Sequence, residues 1–356
     1  MYSPILRNRQ SEMLAFRPLP AEVRKHVMPI FDVAAPTKSA DQAAAQKYVA
    51  RNIARTEKVA AGFSAVFVDS SELDPAFRLP GALHPLTAAS AAIAKAGAQP
   101  IPVTGLHRDT AHNDAASAAR KVNAKEEICL RLDATDVSTA TLTYKGILGL
   151  LTEEDIETAQ TYLLLDLQCL HGQEWKPVVN LVGRLLTLLE EKPWAGIIVG
   201  GYGMPDQLSA AISPNDQGYL PRVEQRVFYE LAQNKSKTAL WFADYTVLSP
   251  AVVELDWRLI RKVMAPRALY TLDDSWFVVR GGAFSNHKDG YDQYYTIADE
   301  IVALDEYCGE HYSAGDKYIW DCSERVDTPG SPASWITACV NHHITFTAKA
   351  HAAASL

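Results

Sequence analysis

Residues 161–168 read TYLLLDLQ, and this stretch decides the fold. Its apolar run is continuous rather than alternating, which is typical of a strand covered on both faces and so of a parallel sheet. The run ends at Asp166, and a helical segment follows. Seven other stretches repeat this pattern of an apolar strand, an acidic or turn residue and a helix: YSPIL at 2–6, VMPIFDV at 27–33, SAVFVDS at 64–70, QPIPVTG at 99–105, EICLRLDA at 127–134, AGIIVGG at 195–201 and ALWFADYT at 239–246.

The segments between these strands have the features of helices. WKPVVNLVGRLLTLLEEK at 175–192 carries a broad apolar face that must pack on the sheet. Pro85 stands where a first-turn proline belongs, and Gly97 fits a helix end. Eight strand–helix units imply right-handed crossovers, and they close most simply into a (β/α)8 TIM-like barrel over residues 1–250. An open doubly wound parallel sheet would give a similar pattern and is the alternative.

Residues 251–356 are predicted to be an elaboration packed on the barrel, because no linker rich in Pro, Gly or Ser separates them. ALYTLDDSWFVVRGG at 268–282 predicts a hairpin of two short strands. Two helices are predicted from YDQYYTIADEIVAL at 291–304 and SPASWITACVNHHITFTAKAHA at 331–352, with YSAGDKYIWD at 312–321 as an irregular or extended piece between them. Residues 1–356 are therefore expected to form a single domain.

Composition excludes several classes of protein. Hydrophobic residues make up 48% of the chain, so a packed core is expected, and the formal net charge of -8 argues against binding to a nucleic-acid backbone. The five cysteines are odd in number and scattered, which fits neither a disulfide framework nor a zinc site. The start MYSPILRNRQ lacks the pattern of a signal peptide, and no stretch approaches the roughly 20 apolar residues that span a bilayer. A cytoplasmic protein without a membrane partner is expected.

Several stretches, in this order along the chain, resemble the phage-type beta protein family: YSPILRNRQSEMLAFRPL at 2–19, VMPIFDV, ALWFADYT, ALYTLDDSWFVVRG and SWITACVNHHI. The resemblance covers nearly the whole chain. It implies a barrel-like fold in a group of bacterial and phage proteins of obscure function, connected with mobile elements and phage conflict. It supplies no catalytic residues.

Aspartates end five of the predicted strands: Asp32, Asp69, Asp133, Asp166 and Asp244. In a (β/α)8 barrel the carboxyl ends of the strands converge on the face that holds the active site. Convergent carboxylates repel one another, so they need a bound cation, an Arg or Lys, or protonation of some members. A divalent cation such as Mg²⁺, Mn²⁺ or Ca²⁺ is the functional interpretation. The structural alternative is that these residues cap helices or bond within loops.

Three of the five aspartates are the preferred catalytic residues and metal ligands. Asp69, Asp166 and Asp244 each end a long apolar strand without an obvious local partner. Asp133 has Arg131 two residues before it on the same face of the strand, and Asp32 precedes a loop that it could cap.

Histidine, arginine and tyrosine side chains complete the predicted site. His107 and His171 stand just beyond strand ends and are candidates for a general base or a metal ligand, with a solvated loop position as the alternative. Four residues are candidates for binding the substrate: Arg131, Arg280, Tyr202 and Tyr245. For Arg131 the alternative is a structural salt bridge, and for Arg280 it is a simple turn.

Motif analysis leaves two classes of function. GGYGMP at 200–205 is neither of the glycine-rich phosphate motifs, so no nucleotide cofactor is indicated, and HExxH and GxSxG are missing. In the first class the protein is a metal-assisted barrel hydrolase of a phosphoester or nucleotide-like substrate. In the second it is a non-catalytic recognition protein of phage–host conflict, acting in antiviral defence or its inhibition, that binds another protein or a small anionic ligand.

Overall fold

A computed structural model describes residues 1–233, 239–249, 264–326 and 328–353. Its barrel strands are β1 (Tyr2–Arg7), β2 (Ile30–Asp32), β3 (Ala65–Asp69), β4 (Gln99–Thr104), β5 (Ile128–Leu132), β6 (Thr161–Cys169), β7 (Gly196–Tyr202) and β9 (Leu240–Asp244). All neighbouring pairs are parallel, and β9 returns to pair with β1, so the barrel is closed. This confirms the (β/α)8 barrel and excludes the open sheet.

Helices cover the outside of the barrel: α1 (Gln10–Phe16), α2 (Ala21–Arg24), α3 (Gln42–Ala60), α4 (Pro85–Lys95), α5 (Thr110–Arg120), α6 (Ala134–Ser138), α7 (Ala140–Glu153), α8 (Trp175–Leu189) and α9 (Val223–Gln233). The predicted punctuation is present, since α4 begins at Pro85 and Gly97 has a φ of 87° just after its end. The apolar face of α8 is buried through Val182, Leu185 and Leu189. The proline, the glycine and the apolar spacing in the sequence thus account for the ends of α4 and the buried face of α8.

Within the residues that the structure describes, the C-terminal part adds a small antiparallel sheet and three helices. The predicted hairpin is confirmed as β10 (Arg267–Thr271) and β11 (Ser275–Arg280). Its third strand, β8 (Asp216–Pro221), comes from before residue 250 and was missed because DQGYLP is mostly polar and exposed. The predicted boundary between barrel and elaboration at 250–251 lies outside the described residues.

Three helices follow the hairpin: α10 (Gln293–Val302), α11 (Ala314–Ser323) and α12 (Pro332–Ala353). They confirm two predicted helices, but the extended piece predicted at 312–321 is wrong, because it is mainly α11. Ser313 caps this helix by accepting a hydrogen bond from Asp316 N at 3.1 Å. Asp316 in turn accepts from Tyr270 and bonds His342, so partners distant in sequence stabilise the turn.

The interior of the barrel is filled by alternate residues of each strand. Rings of Phe67, Tyr162 and Trp241 meet there, with centroids 5.1 Å and 5.4 Å from that of Tyr162. Phe242 points the other way and stacks on His351 of α12 at 4.6 Å. This alternation decides which side chains at the strand ends enter the barrel mouth.

Within the described residues, no helix combines the length and the apolar character that crossing a bilayer requires. The cytoplasmic location stays a prediction.

Candidate active site

Arg131 of β5 lies at the centre of the barrel mouth, where it binds side chains from three other strands and from Tyr245, which directly follows β9. Its Nη1 donates to Asp32 Oδ1 at 2.8 Å and to Asp69 Oδ2 at 3.1 Å. Its Nε donates to Asp166 Oδ2 at 2.9 Å, and its Nη2 lies 2.8 Å from both that oxygen and the Tyr245 hydroxyl. Tyr245 donates to Asp166 Oδ2 at 2.5 Å. We call these five residues the mouth cluster.

Asp69 and Asp166 each use one side-chain oxygen in their own loop and the other in the mouth cluster. Oδ1 of Asp69 accepts from Ser71 N at 2.9 Å, and Oδ1 of Asp166 accepts from Gln168 N at 3.1 Å. Their Oδ2 atoms bind Arg131. The loop role and the pocket role, which were alternatives in the sequence, are therefore both performed by the same carboxylates.

Gln168 has a φ of 55°, a conformation that is uncommon for a residue other than glycine. This left-handed residue ends the regular part of β6 and brings its own N–H back to Asp166. Strain of this kind persists only where surrounding contacts enforce it, and it concentrates at binding and catalytic sites.

Asp244 does not join the mouth cluster. Along β9 alternate side chains face opposite sides, so Tyr245 enters the barrel mouth while Asp244 lies on the outer face. There Asp244 binds Tyr2 at 2.6 Å and His343 at 2.8 Å, fully buried. The structure thus separates Asp244 from Asp69 and Asp166.

A cavity of about 470 Å³ opens above the mouth cluster. Such a volume suits a small-molecule ligand, and its position at the carboxyl ends of the strands is where barrel enzymes have their active sites. Its lining is rich in charged and polar groups: Asp32, Ser71, Glu72, Gly105, Leu106, His107, Arg108, Arg131, Asp133, Asp136, Asp166, Gln168, Cys169, Asp206 and Tyr245. Gly105 is needed in this wall because a Cβ there would lie 2.7 Å from the carbonyl oxygen of Arg131.

His107 and Asp136 form a pair at the edge of this cavity. His107 Nε2 lies 2.9 Å from Asp136 Oδ1, and the His107 side chain is 71% exposed while that of Asp136 is 7% exposed. Asp136 is held by the capping box at the start of α6, where its Oδ2 accepts from Asp133 N and the Asp133 side chain caps the helix. With Asp136 accepting the Nε2 proton, Nδ1 of His107 is the nitrogen that can take a proton from a ligand.

Arg108 follows His107 and approaches the mouth cluster from the cavity side. Its Nη2 donates to Asp69 Oδ2 at 3.0 Å. Burial raises the pKa of Asp69, but the charges of Arg108 and Arg131 outweigh it and hold the pKa below its ordinary value. Asp69 therefore stays ionised and anchors both arginines.

Asp32 has the most unusual acidity in the mouth cluster. Burial raises its pKa to about 7, aided by the neighbouring charges of Asp69 and Glu72, and Arg131 only partly opposes this. Its Oδ1 binds Arg131, whereas its Oδ2 bonds to no described residue. A carboxyl group that exchanges its proton near neutral pH and lines a cavity is a candidate general acid or base.

Some polar groups of the cavity are already bonded to protein side chains, and others are available to a ligand. Arg131 donates four hydrogen bonds within the mouth cluster, and its Nη2 also lies 2.8 Å from Asp166 Oδ2. Of the five N–H groups of Arg108, one bonds to a described residue. The other carboxylates of the cavity have partners of their own: Glu72 binds Arg7, Asp133 binds the N–H groups of Thr135 and Asp136, and Asp206 binds Ser249. Arg108, His107, Asp32 and the buried Oε2 of Glu72, which has no partner among the described residues, are thus the groups open to a ligand.

Three other predicted site residues lie away from this cavity. His171 is exposed, with Nδ1 3.2 Å from the Gly203 carbonyl oxygen. Tyr202 is buried beneath Tyr245, their ring centroids 6.4 Å apart. Arg280 lies in the small sheet, where it donates to the Ile212 carbonyl oxygen and lines a separate cavity.

The residues predicted to bind a divalent cation do not form a common cage. Asp69 and Asp166 contact Arg131 from two sides, and Asp244 lies on the outer face. Among the residues described, no three His, Cys, Asp or Glu side chains are arranged to hold a metal ion. The sequence left three ways for these carboxylates to coexist: a bound cation, an Arg or Lys, or protonation. Arg131 supplies the positive charge, and protonation of Asp32 lowers the repulsion between the carboxylates. A bound cation stays a prediction.

Sequence reasoning missed Arg108 and Asp136 and did not prefer Asp32. Arg108 adjoins His107 in the stretch LHRD, and Asp136 stands three residues after Asp133, the spacing of a capping box. Both residues thus carry a signal in the sequence, but neither signal shows that the side chain faces the cavity. The sequence places Asp32 before a loop that it could cap, whereas in the structure it binds Arg131, 99 residues away.

Comparison with known proteins gives a family and no activity. No curated protein matches the chain. Among solved structures, the arginine decarboxylase of Paramecium bursaria Chlorella virus, bound to agmatine, is 10% identical, with a TM-score of 0.35 over 78% of this chain and 89% of that chain. A similarity this low carries no statement about function, and the phage and defence associations stay predictions. The Beta protein family model matches residues 2–349, and the chain therefore belongs to that family.

Proposed function

We propose that this protein is a hydrolase of a small anionic ester of the phosphoester class, bound in the cavity at the carboxyl ends of the barrel strands. The observation that carries the proposal is the His107–Asp136 pair next to Arg108, at the edge of a cavity whose other charged groups are largely engaged. A base, an orienting carboxylate and an anion-binding guanidinium are the parts such a reaction needs.

His107 acts as the general base. Asp136 accepts the proton on Nε2 and holds the ring, so Nδ1 takes a proton from a water molecule as the oxygen of that water attacks the ester. The bond from phosphorus to the leaving oxygen breaks, and that oxygen needs a proton. Asp32 donates it, because a pKa of about 7 leaves a large fraction of this carboxyl group protonated near neutral pH.

Arg108 binds the anionic group and stabilises the charge that develops on it. Its guanidinium is held at one end by Asp69, which leaves the remaining N–H groups for ligand oxygens. Arg131 is a positioning residue, because its N–H groups bond to the other side chains of the mouth cluster and hold Asp32 in place. No step requires a metal ion.

Turnover of aryl phosphate monoesters and diesters by the purified protein tests this proposal. His107→Gln should lower kcat by at least about 100-fold, the usual loss when a general base is removed. The matched control is His171→Gln, which changes an exposed histidine outside the cavity and should keep full activity. Wild-type activity should fall as pH rises above about 7, because Asp32 then loses the proton that it donates. Asp32→Asn should lose most of the rate, and its remaining activity should not fall in this pH range.

Absence of turnover by the wild-type protein, or equal rates for His107→Gln and wild type, would contradict the proposal. In the first case, phosphate binding that depends on Arg108 would favour the non-catalytic recognition protein.

A further inference from the structure

A second cavity, of about 200 Å³, adjoins the first. Ser71, His107 and Arg108 line both, so the two cavities meet at the residues assigned to the base and to the anion. A ligand group bound to Arg108 therefore lies next to both cavities. Nothing in the proposed reaction uses that space.

Flat and apolar side chains form much of the wall of the second cavity. Phe77, Pro85 and Leu73 line it together with the imidazoles of His84 and His112, whose ring centroids lie 5.7 Å apart at 88°. Aromatic faces and proline rings bind planar groups through stacking and apolar contact. The wall therefore suits a ring system better than a flexible polar chain.

Polar groups in this wall point to a heterocycle. The hydroxyl of Ser70 is buried and has no hydrogen-bond partner among the described residues, which is costly unless a ligand supplies one. His84 Nδ1 accepts from Leu86 N at 3.2 Å, so its proton is on Nε2 as a donor. Burial lowers the pKa of His84 to about 4, assisted by the nearby charge of His112, so the ring is neutral at physiological pH.

The two carboxylates of this wall are engaged within their own loops. Asp74 accepts from Ala76 N at 2.8 Å, and Asp109 caps α5 by accepting from His112 N at 3.0 Å. Arg108, at the junction, is the cation that lines this cavity. The interior of the second cavity thus suits an uncharged ring, with any anionic part of the ligand at Arg108.

We propose that the second cavity binds an uncharged heteroaromatic ring of the same substrate whose anionic group binds Arg108, so that the substrate is nucleotide-like. The inference rests on the proposed function and names the substrate class for that site. The unpartnered Ser70 hydroxyl and the stacking surface of Phe77 are the observations that carry it.

Calorimetric titration with three probes tests this inference: inorganic phosphate for Arg108, adenosine for the second cavity, and adenosine monophosphate for both. The monophosphate should bind more tightly than either part alone. Phe77→Ala should weaken adenosine binding about tenfold, because it removes a stacking surface, and should leave phosphate binding unchanged. Phe284→Ala is the matched control, since Phe284 is also half-buried but stacks on Tyr291 in the C-terminal part.

Ser70→Ala separates a binding role from a structural one. Because the hydroxyl has no partner in the ligand-free protein, its removal should leave the melting temperature unchanged or raise it, while adenosine binding weakens several-fold. A fall in melting temperature with unchanged adenosine binding would mean that the hydroxyl is structural and would overturn this part of the argument.

The outcomes distinguish the two proposals. Phosphate binding that depends on Arg108, with no adenosine binding, would overturn the inference and leave the proposed function standing. Adenosine binding that depends on Phe77, with no phosphate binding, would support the second cavity as a heterocycle site and contradict the hydrolase. Equal affinities for adenosine and its monophosphate would overturn the claim that the cavities bind one substrate.

Discussion

The mouth cluster and a second cluster on the outer face of the barrel are built from the same parts and differ in what covers them. In the second, which we call the outer cluster, Asp244 binds Tyr2, His343 and Arg222, and His343 also contacts Thr271. Each cluster combines a strand-end aspartate, a tyrosine and a basic side chain. The mouth cluster opens to a cavity, whereas the outer cluster is buried between barrel strands and α12.

Their electrostatics differ accordingly. Burial raises the pKa of Asp244, but His343, Arg222 and Tyr2 outweigh it and lower the pKa to about 2. Asp244 is therefore ionised at any physiological pH and ties α12 to the barrel. Asp32, with a pKa of about 7, keeps a proton that it can exchange. A strand-end position alone thus does not fix the role of an aspartate. The neighbouring side chains decide whether it can exchange a proton or stabilises the fold.

Arg131→Met should give the largest effect on stability, because it leaves the carboxylates of the mouth cluster without their central cation. We expect the free energy of unfolding at pH 7 to fall by about 3–5 kcal/mol. Part of the loss should be recovered at pH 5, where the unpaired carboxylates take up protons. Urea unfolding at both pH values measures this.

Arg226→Met is the control for that variant. Arg226 forms an exposed pair with Glu230 one helical turn away and lies over the Trp175 ring at 4.9 Å, and the two contacts together should contribute at most about 1.5 kcal/mol. An Arg131→Met protein as stable as this control would show that the mouth cluster is not held by Arg131.

Asp244→Asn should destabilise the protein less and leave ligand binding intact. It removes the charge that His343 and Arg222 face, at an expected cost of about 2–3 kcal/mol. Phosphate affinity should match that of the wild type, because Asp244 lies on the outer face of β9. Loss of phosphate binding in a protein that still folds would refute the separation of the two clusters.

Asp32→Asn should give the smallest change in stability at pH 7, and its main effect should be on how stability depends on pH. A folded-state pKa of about 7 lies above the ordinary value of 3.8, so the folded protein binds the proton more tightly. This contribution is present below about pH 4 and is lost as pH rises through 7. The difference in unfolding free energy between wild type and Asp32→Asn should therefore change by up to about 1.4 kcal/mol per pH unit in that window. A constant difference would contradict the raised pKa.

The sequence predicted much of the fold because the relevant signals are local. Continuous apolar runs located all eight barrel strands, and Pro85 marked a helix start. The helix at 314–323 was missed although Ser313 and Asp316, three residues apart, form a local capping pair; in the structure Tyr270 and His342 also hold Asp316 from distant segments. For the site, the sequence indicated Asp69, Asp166 and the face of the barrel.

By itself, the sequence determined where the strands lie and that acidic residues end them. Only the tertiary structure decided which of those residues meet. The physical reason is that strands buried on both faces are apolar at every position, so their pattern does not show which alternate residues face inward. Asp244 and Tyr245 are neighbours in the chain, yet the first ties α12 to the barrel and the second completes the mouth cluster.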